Sequence, residues 1–336
     1  MLVIAAPGQG AQTPGFLSPW LELPGFAGRL GAWSELAGCD LIRYGTTGDA
    51  DEIRDTAVAQ PLLVAAAVAA AEALTGDPVP VKGVTAAVAG HSVGELAAGA
   101  IAGTISAEDA MRLVRVRAGG MAAAAAAEQT GMTAVLGGTE SDVLAALDKH
   151  GLTPANVNGA GQIVAAGTRE QLAALAADPP AGARLRPLSV AGAFHTRHMA
   201  SAVDALAAAA AQVPVADPGL PLLSNADGAV VASGADWLQR IITQVSAPVR
   251  WDACMQGMAG LGVTALLELP PAGTLTGLAR RALPGVQLLA LKTPDQLDDA
   301  RALLAEHGGT PGATGTAGAG GTPAQPLAEA RPDGRG

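Results

Sequence analysis

The segment Gly90-His91-Ser92-Val93-Gly94 carries the strongest chemical signal in the sequence. It has the GxSxG pattern, and it lies between an apolar run typical of a buried strand and a stretch typical of a helix. A sharp turn from strand to helix exposes a serine hydroxyl at the end of a sheet, and flanking glycines allow that turn. The N-terminus of the helix also points backbone N–H groups at the reacting centre. We therefore predict that Ser92 is a nucleophile and that the Val93 N–H helps to hold an oxyanion.

A serine nucleophile needs a base, and histidine is the usual one. The chain has 5 histidines: His91, His150, His195, His198 and His307. The first adjoins the serine around a tight turn, the second ends a predicted helix, and the last borders the C-terminal segment. His195 and His198 lie in a loop that enters a helix, and either could reach Ser92. The sequence leaves both open, and no third ligand stands near their HxxH spacing to favour zinc.

An acid to orient the histidine is not evident, although an α/β-hydrolase would place one between its serine and its histidine. The carboxylates Asp142, Asp148 and Asp178 lie in that interval, but all belong to a separate unit described below. Arg117 is a further candidate, on a helix predicted over 107–118. It points about 140° away from Arg112 around the axis, so the two cannot share a face. An arginine near an acylated serine could clamp a substrate carboxylate.

Short apolar segments alternate with helical segments, which indicates an α/β fold with a parallel sheet. Strands are predicted over 2–6, 84–89, 221–224, 263–269 and 286–291, and helices over 60–74, 107–118 and 199–212. The middle of the chain differs, because its order β-α-β-β-α-β is that of a ferredoxin-like unit. We predict a large domain of residues 1–125 and 191–306, a ferredoxin-like subdomain of residues 126–190, and a cleft between them. Residues 307–336, rich in Gly, Pro, Thr and Ala, are predicted to be a disordered tail.

The composition narrows the possible classes of function. Of the 336 residues 49% are apolar and only 2% aromatic, so the core must consist mainly of Ala, Leu and Val. A formal net charge of −10 argues against nucleic acid as the main partner. Cys39 and Cys254 lie far apart without CxxC spacing, which disfavours disulfides and structural zinc and fits a reducing cytoplasm.

No targeting or membrane segment is predicted. The N-terminus has no basic region, and its apolar stretch is too short for a signal peptide. The longest apolar run, 62–71, is shorter than the ~20 residues needed to cross a bilayer. We expect a cytoplasmic protein.

Five motifs, taken in order, resemble a known family. They are Pro7-Gly8-Gln9-Gly10-Ala11-Gln12, Gly90-His91-Ser92-Val93-Gly94-Glu95, Val116-Arg117, Asn156-Val157-Asn158 and Ala193-Phe194-His195. Together they resemble the malonyl-CoA:acyl carrier protein transacylases and the acyltransferase domains of polyketide synthases. The resemblance extends from about residue 3 to about residue 300. It implies a hydrolase-like α/β core with a ferredoxin-like insertion.

The resemblance also implies a ping-pong reaction. By this likeness Ser92 attacks the thioester of malonyl-CoA, and His195 takes its proton and later activates the phosphopantetheine thiol of an acyl carrier protein. The N–H groups of Gln9 and Val93 would hold the oxyanion, and Arg117 would pair with the malonyl carboxylate. No cofactor would be bound permanently.

The resemblance assigns the remaining pocket residues as well. A backbone carbonyl within residues 244–251, expected to be that of Gln244, would orient the histidine. His91 and either Asn156 or Asn158 would line the pocket. Phe194 would fill the space of a methyl branch, which gives a preference for malonyl over methylmalonyl, since excluding one methyl is worth only ~1–3 kcal/mol.

Two departures from the family pattern concern loop shape and fine substrate choice. Pro270-Pro271-Ala272-Gly273 replaces the usual Gly-Pro-Gly, and Gly192 stands where His is common.

The carrier-protein partner would be acidic, so only a local basic patch could attract it. Arg280 and Arg281 are the first candidates, and the pairs Arg184/Arg186 and Arg112/Arg115 remain open. The fatty acid pathway, the polyketide pathway or both could be served, and a monomer is the default expectation.

Three alternative functions share some of these sequence features. A thioesterase or esterase would use the same serine with water as the acceptor. A non-catalytic docking module would keep the fold without the chemistry, but the joint presence of Ser92, His195, Gln9 and Arg117 argues against it. A dinucleotide-binding protein is disfavoured because no GxGxxG follows a strand.

Overall fold

The short apolar segments of the sequence form strands, and the longer segments between them form helices. The structure is a computed structural model that describes residues 1–84 and 86–308. The strands are β1 (Leu2–Ala6), β2 (Ala86–Gly90), β3 (Thr130–Gly137), β4 (Thr153–Gly159), β5 (Gln162–Thr168), β6 (Ala183–Pro187), β7 (Leu222–Leu223), β8 (Val249–Arg250), β9 (Ala265–Glu268) and β10 (Gln287–Ala290). The α-helices are α1 (Phe26–Ala37), α2 (Leu41–Thr46), α3 (Thr56–Thr75), α4 (Gly94–Ile101), α5 (Ala107–Ala127), α6 (Glu140–Lys149), α7 (Arg169–Ala177), α8 (Val203–Ala210), α9 (Gly234–Gln244), α10 (Trp251–Gly260), α11 (Thr274–Ala282) and α12 (Leu297–His307). Short 3₁₀ helices cover Ser18–Glu22, Glu52–Arg54, Arg197–Ala202 and Pro294–Gln296.

The larger sheet is parallel throughout, with strand order β10-β9-β1-β2-β7. Its central strands β1 and β2 are buried along their whole length, because helices cover both faces. The carboxyl ends of β1, β2 and β9 meet at one edge of the sheet. The loops that follow these three strands carry Gln9, Ser92 and Pro270-Pro271-Ala272-Gly273, so the predicted chemistry gathers at this edge.

Helix α3 packs in the core beside this sheet. It is longer than the apolar run in the sequence because the Asp55 side chain caps its N-terminus, accepting from the Ala57 N–H at 2.8 Å. Within residues 1–84 and 86–308 it is the one helix long and apolar enough to cross a membrane, and 83% of its most apolar window is buried inside the fold.

The smaller sheet has the order β6-β3-β5-β4 with every neighbouring pair antiparallel. The helices α6 and α7 connect its strands in the order β-α-β-β-α-β, which is the predicted ferredoxin-like unit. Local signals start both helices, since the hydroxyls of Thr139 and Thr168 accept from the third N–H of each helix.

A fifth strand joins the smaller sheet from outside it. β8 pairs in parallel with β4 through Asn156 and Val157, although it lies in the part of the chain that returns to the larger sheet. The Arg250 N–H also donates to the Asn225 carbonyl at 2.8 Å. The two sheets are therefore joined by hydrogen bonds next to the cleft. The predicted division into a large domain of residues 1–125 and 191–306 and a subdomain of residues 126–190 stays a proposal.

Three predicted boundaries differ from the structure. The predicted helix over 199–212 is a 3₁₀ helix over Arg197–Ala202 followed by α8, which ends at Ala210. Helix α5 extends to Ala127 rather than ending at residue 118, because Gly119 and Gly120 are followed by seven more residues of high helix propensity. Helix α12 ends at His307, the first residue of the predicted tail, where the imidazole bonds to the Thr264 hydroxyl and to the Gln287 amide oxygen. The rest of the predicted tail from residue 309 lies outside the described residues.

The loop after β9 is held by a buried carboxylate. Glu268 is fully buried, and its two oxygens accept from the four successive backbone N–H groups of residues 273–276 and from the Thr276 hydroxyl, at 2.8–3.1 Å. These N–H groups begin helix α11, so the carboxylate both caps the helix and favours its positive end. The substituted loop at residues 270–273 thus ends in a fixed conformation.

We expect Glu268→Gln to lower the free energy of unfolding by about 3 kcal/mol, because an amide NH₂ would face buried N–H donors. Urea denaturation followed by circular dichroism measures the change. The exposed Glu22→Gln is the matched control and should unfold like the wild type. Equal stability of all three proteins would contradict the assigned role of Glu268.

Candidate active site

Ser92 stands on a strained turn between β2 and α4. Its φ of 55° lies in the left-handed region, which a residue with a side chain rarely adopts. Neighbouring glycines make the turn possible: a Cβ at position 90 would lie 2.0 Å from the Gly94 carbonyl carbon, and one at position 94 would lie 2.3 Å from the Ala6 oxygen. The GxSxG glycines are therefore required by close packing, and the turn exposes the hydroxyl at the sheet edge as predicted.

The structure brings His195 to the serine and not His198. The Ser92 hydroxyl lies 2.7 Å from His195 Nε2, whereas His198 Nδ1 lies 2.6 Å from a Glu128 carboxylate oxygen. His195 Nδ1 donates to the Gln244 backbone carbonyl at 2.8 Å. This bond fixes the tautomer, so Nε2 can accept the serine proton. The alternative that the sequence left open is thereby decided in geometry, and a carbonyl lies where a triad would have an acid.

The electrostatic surroundings keep His195 neutral. Burial and the positive charge of Arg117 lower the pKa of its imidazole to about 3. The ring is therefore an unprotonated base throughout the neutral range, although its low basicity reduces the driving force for proton transfer in the free protein. A negative charge placed beside Arg117 would offset that effect.

Arg117 is buried behind the serine, on the inner face of α5. Its guanidinium donates to the Gln60 amide oxygen at 2.6 Å, to the Gln244 amide oxygen at 2.9 Å and to the Ser92 hydroxyl at 3.2 Å. Burial lowers the pKa of Arg117 to about 10, which still leaves it cationic at neutral pH. Among residues 1–84 and 86–308 it forms no salt bridge. A full positive charge thus lies beside the nucleophile with only neutral partners.

A cleft of about 720 Å³ opens over Ser92 and His195 between the two sheets, and Arg117 lies behind the serine without lining the cleft. Six of the predicted residues line it besides the serine and its base: Gln9, His91, Asn156, Asn158, Phe194 and Arg281. His91 Nε2 lies 3.0 Å from the Asn158 amide oxygen, and burial lowers the His91 pKa. Both asparagines therefore reach the cleft, where one had been expected.

The two backbone N–H groups predicted to receive an oxyanion, those of Gln9 and Val93, belong to the loops after β1 and β2. Across the described part of the chain neither Gln9 nor Val93 donates its N–H to a protein acceptor, although both residues adjoin the serine turn. The Gln9 side chain points instead to the Thr56 hydroxyl at 3.3 Å, which holds its loop against α3. This arrangement fits the predicted pair of donors.

The sequence analysis missed three polar residues of this site. Gln60 binds Arg117, Asn225 accepts from the Ser92 N–H at 2.7 Å, and Glu95 accepts from the Asn225 N–H at 2.8 Å. Glu95 was quoted only as part of a motif. Polar side chains within otherwise apolar helices, such as Gln60 and Glu95, were the available signal.

Arg280 and Arg281 are both exposed near the end of α11, and only Arg281 lines the cleft. The described residues contain no group of three or more His, Cys, Asp or Glu side chains that could hold a metal ion.

Comparison with known proteins identifies the family of the chain. The acyl transferase domain family matches residues 7–296 of the chain. The chain belongs to this family. Its curated relatives include the malonyl CoA-acyl carrier protein transacylase of Mycobacterium tuberculosis strain H37Rv, which is 54% identical over 299 residues that cover 89% of this chain and 99% of the relative.

Solved structures of acyl transferases share the fold. The crystal structure of MCAT from Mycobacterium tuberculosis has a TM-score of 0.85 at 52% identity, and the match covers 90% of this chain and 99% of that one. A malonyl-transacylase solved in complex with its type II PKS acyl-carrier protein has a TM-score of 0.82 at 28% identity, with 90% and 99% coverage. The α/β class predicted from the sequence is therefore confirmed.

We expect the reaction of Ser92 with a sulfonyl fluoride to keep its rate from about pH 8 down to about pH 5.5. The lowered pKa of His195 keeps the imidazole neutral over this range, and the base is lost only as pH falls toward about 3. Such a reagent has no carboxylate to titrate, and mass spectrometry of quenched samples gives the rate. In Arg117→Ala the loss of the positive charge should move the acid limb to higher pH. A wild-type limb near pH 6.5, the value of an unperturbed histidine, would contradict this environment.

Proposed function

We propose that this protein transfers a malonyl group from malonyl-CoA to the phosphopantetheine thiol of an acyl carrier protein, through an acyl-serine intermediate. The observation that carries the proposal is the buried Arg117 guanidinium 3.2 Å from the Ser92 hydroxyl. A hydrolase of simple acyl groups has no use for a buried cation there, whereas a substrate with a free carboxylate supplies the missing counter-charge. The malonyl CoA-acyl carrier protein transacylases among its relatives support the same activity.

In the first half-reaction His195 Nε2 takes the proton of Ser92 as the hydroxyl oxygen attacks the thioester carbonyl carbon. The carbonyl oxygen becomes an oxyanion and accepts from the N–H groups of Gln9 and Val93. The C–S bond then breaks, His195 returns its proton to the departing CoA sulfur, and an ester of Ser92 remains. The Gln244 carbonyl stabilises the imidazolium that forms in between.

The second half-reaction reverses these steps with another thiol. His195 takes the proton of the phosphopantetheine thiol, and the sulfur attacks the ester carbonyl. The same two N–H groups hold the oxyanion, the C–O bond to Ser92 breaks, and His195 reprotonates the hydroxyl. The net change exchanges one thioester for another, so no cofactor is consumed.

Selectivity follows from charge first and shape second. Arg117 favours malonyl over acetyl, because a bound acetyl group would leave the buried cation without a counter-charge. Phe194 is buried at the cleft wall and fills the space of a methyl branch. We propose that His91, Asn156 and Asn158 line the opposite side of the acyl pocket, where the hydrogen bond between His91 and Asn158 holds the imidazole.

The cleft favours an anionic thioester at its mouth as well. The residues that line it include Arg281 and Arg54, whose guanidinium also pairs with Asp51, and no carboxylate, although the chain as a whole carries a net charge of −10. We propose that Arg281, with Arg280 beside it, meets the acidic carrier protein. Fatty acid chain extension is the proposed role, with polyketide extension as a further expectation, and we propose a cytoplasmic monomer.

Brief mixing with malonyl-CoA should add one malonyl mass to the wild-type protein and none to Ser92→Ala, as measured by intact-protein mass spectrometry. Holo carrier protein should discharge the adduct. Rapid loss of the adduct to water without carrier protein would favour the thioesterase alternative. A folded wild-type protein that gains no adduct would overturn the transacylase proposal and favour a non-catalytic docking module.

Reversing Arg280 and Arg281 to Glu should raise the KM for carrier protein about tenfold, because two attractive charges on the proposed docking surface become repulsive. Loading from malonyl-CoA should be affected far less, and measuring the rate of each half-reaction separately distinguishes these effects. Arg184→Glu with Arg186→Glu is the matched double reversal on β6. Equal damage to both half-reactions in the α11 variant would count against this docking surface.

A further inference from the structure

A chain of buried polar side chains lies behind Ser92 and Arg117, and the mechanism above does not use all of it. Glu95, Asn225 and Gln244 are 1%, 0% and 5% exposed. They come from α4, the loop after β7 and the end of α9, so three separate segments converge on this point. Buried polar groups are retained at this density only where each one is hydrogen-bonded.

Every hydrogen bond around Asn225 has a fixed direction. Its Oδ1 accepts from the Ser92 N–H at 2.7 Å and from Gln244 Nε2 at 3.2 Å, while its Nδ2 donates to the Gly90 carbonyl at 2.7 Å. Reversing the amide would set its NH₂ against the Ser92 N–H and its oxygen against the Gly90 carbonyl. Asn225 therefore holds the strained serine turn in one orientation only.

Glu95 receives only donors. One oxygen accepts from the Asn225 N–H at 2.8 Å, and the other accepts from Gln244 Nε2. An ionised carboxylate is an acceptor at both oxygens, whereas an amide or a protonated acid is not. Burial raises the pKa of the Glu95 carboxyl to about 8, and the Asn225 N–H and the Arg117 charge oppose that rise. Since both partners are donors, only the ionised form completes both bonds, and with a pKa of about 8 it is the major form above that pH, where the assays below are run.

The orientation of the Gln244 amide also determines which of its atoms faces Arg117. With its NH₂ directed to Glu95, its Oε1 faces the guanidinium and accepts from it at 2.9 Å. A guanidinium has no acceptor, so an inverted Gln244 amide would place donor against donor. The orientation of Gln244 thus depends on an acceptor-only group at position 95.

We propose that Glu95 is a positioning residue for substrate choice: it orients the Gln244 amide, and Gln244 holds Arg117 cationic yet without a carboxylate partner, ready for the carboxylate of the substrate. The proposal rests on the proposed function, since it takes the malonyl carboxylate as the ligand of Arg117. The negative charge of Glu95 lies one amide away from the guanidinium, so it supports the cation without occupying its donors. A carboxylate in direct contact would have to be displaced by every substrate molecule.

The test is Glu95→Gln, measured by loading from malonyl-CoA and from acetyl-CoA and by reaction with a sulfonyl fluoride. The introduced amide faces Gln244 Nε2 with a donor, which inverts Gln244 and misplaces Arg117. We expect the KM for malonyl-CoA to rise at least about tenfold, the cost of one charge-assisted hydrogen bond. The rate with acetyl-CoA or the sulfonyl fluoride should fall much less than the rate with malonyl-CoA, because neither reagent has a carboxylate for Arg117.

The double variant Glu95→Gln with Gln244→Glu, called the exchanged protein, keeps one buried carboxylate but moves it from position 95 to position 244. It therefore tests whether the position of the negative charge matters or only its presence. The introduced glutamine can accept from Asn225 and donate to the introduced glutamate, so both hydrogen bonds at position 95 are replaced and the protein should fold, although the bond from position 244 to Asn225 Oδ1 is lost. The carboxylate would then contact Arg117 directly and compete with the substrate. We expect wild-type stability to return in part while malonyl loading stays impaired. Glu268→Gln is the matched control, since it removes another buried carboxylate and should keep the malonyl-to-acetyl ratio.

Each outcome decides the proposal. A Glu95→Gln protein that keeps the wild-type malonyl-to-acetyl ratio would overturn it, and so would an exchanged protein that loads malonyl like the wild type. If Glu95→Gln alone does not fold, the exchanged protein decides, and its failure to fold would contradict the hydrogen-bond assignment. A wild-type protein that loads no malonyl would instead refute the proposed function, which distinguishes the two failures.

Discussion

A cation buried beside the nucleophile is the constraint to which the rest of this site responds. Burying an unpaired charge costs several kcal/mol unless polar groups replace the lost water. Here the amide oxygens of Gln60 and Gln244 replace it, and Arg117 reaches Ser92 as well. Neutral acceptors hold the guanidinium without neutralising it. In the proposed reaction this charge is left for the carboxylate of the substrate, which would tie the binding of the acyl group to its identity.

The same polar residues also hold two strained backbone positions. Ser92 and His195 both have a positive φ, 55° and 60°, and such strain costs on the order of 1–3 kcal/mol per residue. Asn225 fixes the first through its side chain, and the Gln244 carbonyl fixes the imidazole of the second. The nucleophile, its base and the cation thus share their supports. A substitution in one support should disturb the others, so single-residue effects at this site will not add.

The sequence predicted the features that depend on residues close together along the chain. Buried apolar strands, helix caps and the GxSxG turn are local patterns, and they gave the parallel sheet, the β-α-β-β-α-β unit and the nucleophile. The pairing of Ser92 with His195 spans 103 residues, and that of Glu95 with Gln244 spans 149. No local pattern distinguishes His195 from His198 or marks Asn225, because their contacts exist only once the chain has folded. The extended α5 was missed because consecutive glycines usually end a helix.

Strand β8 has a mechanical consequence. It pairs with β4 of the smaller sheet, its Arg250 N–H binds Asn225, and it follows within a few residues the carbonyl that orients His195. Separating the two sheets would strain the very segment that aligns the base. The width of the cleft is thus coupled to the alignment of Ser92 and His195. Moving the two sheets apart to admit a reactant would therefore misalign these two residues. A reactant that enters without such opening must be slender and long, and the reacting end of a pantetheine arm has that form.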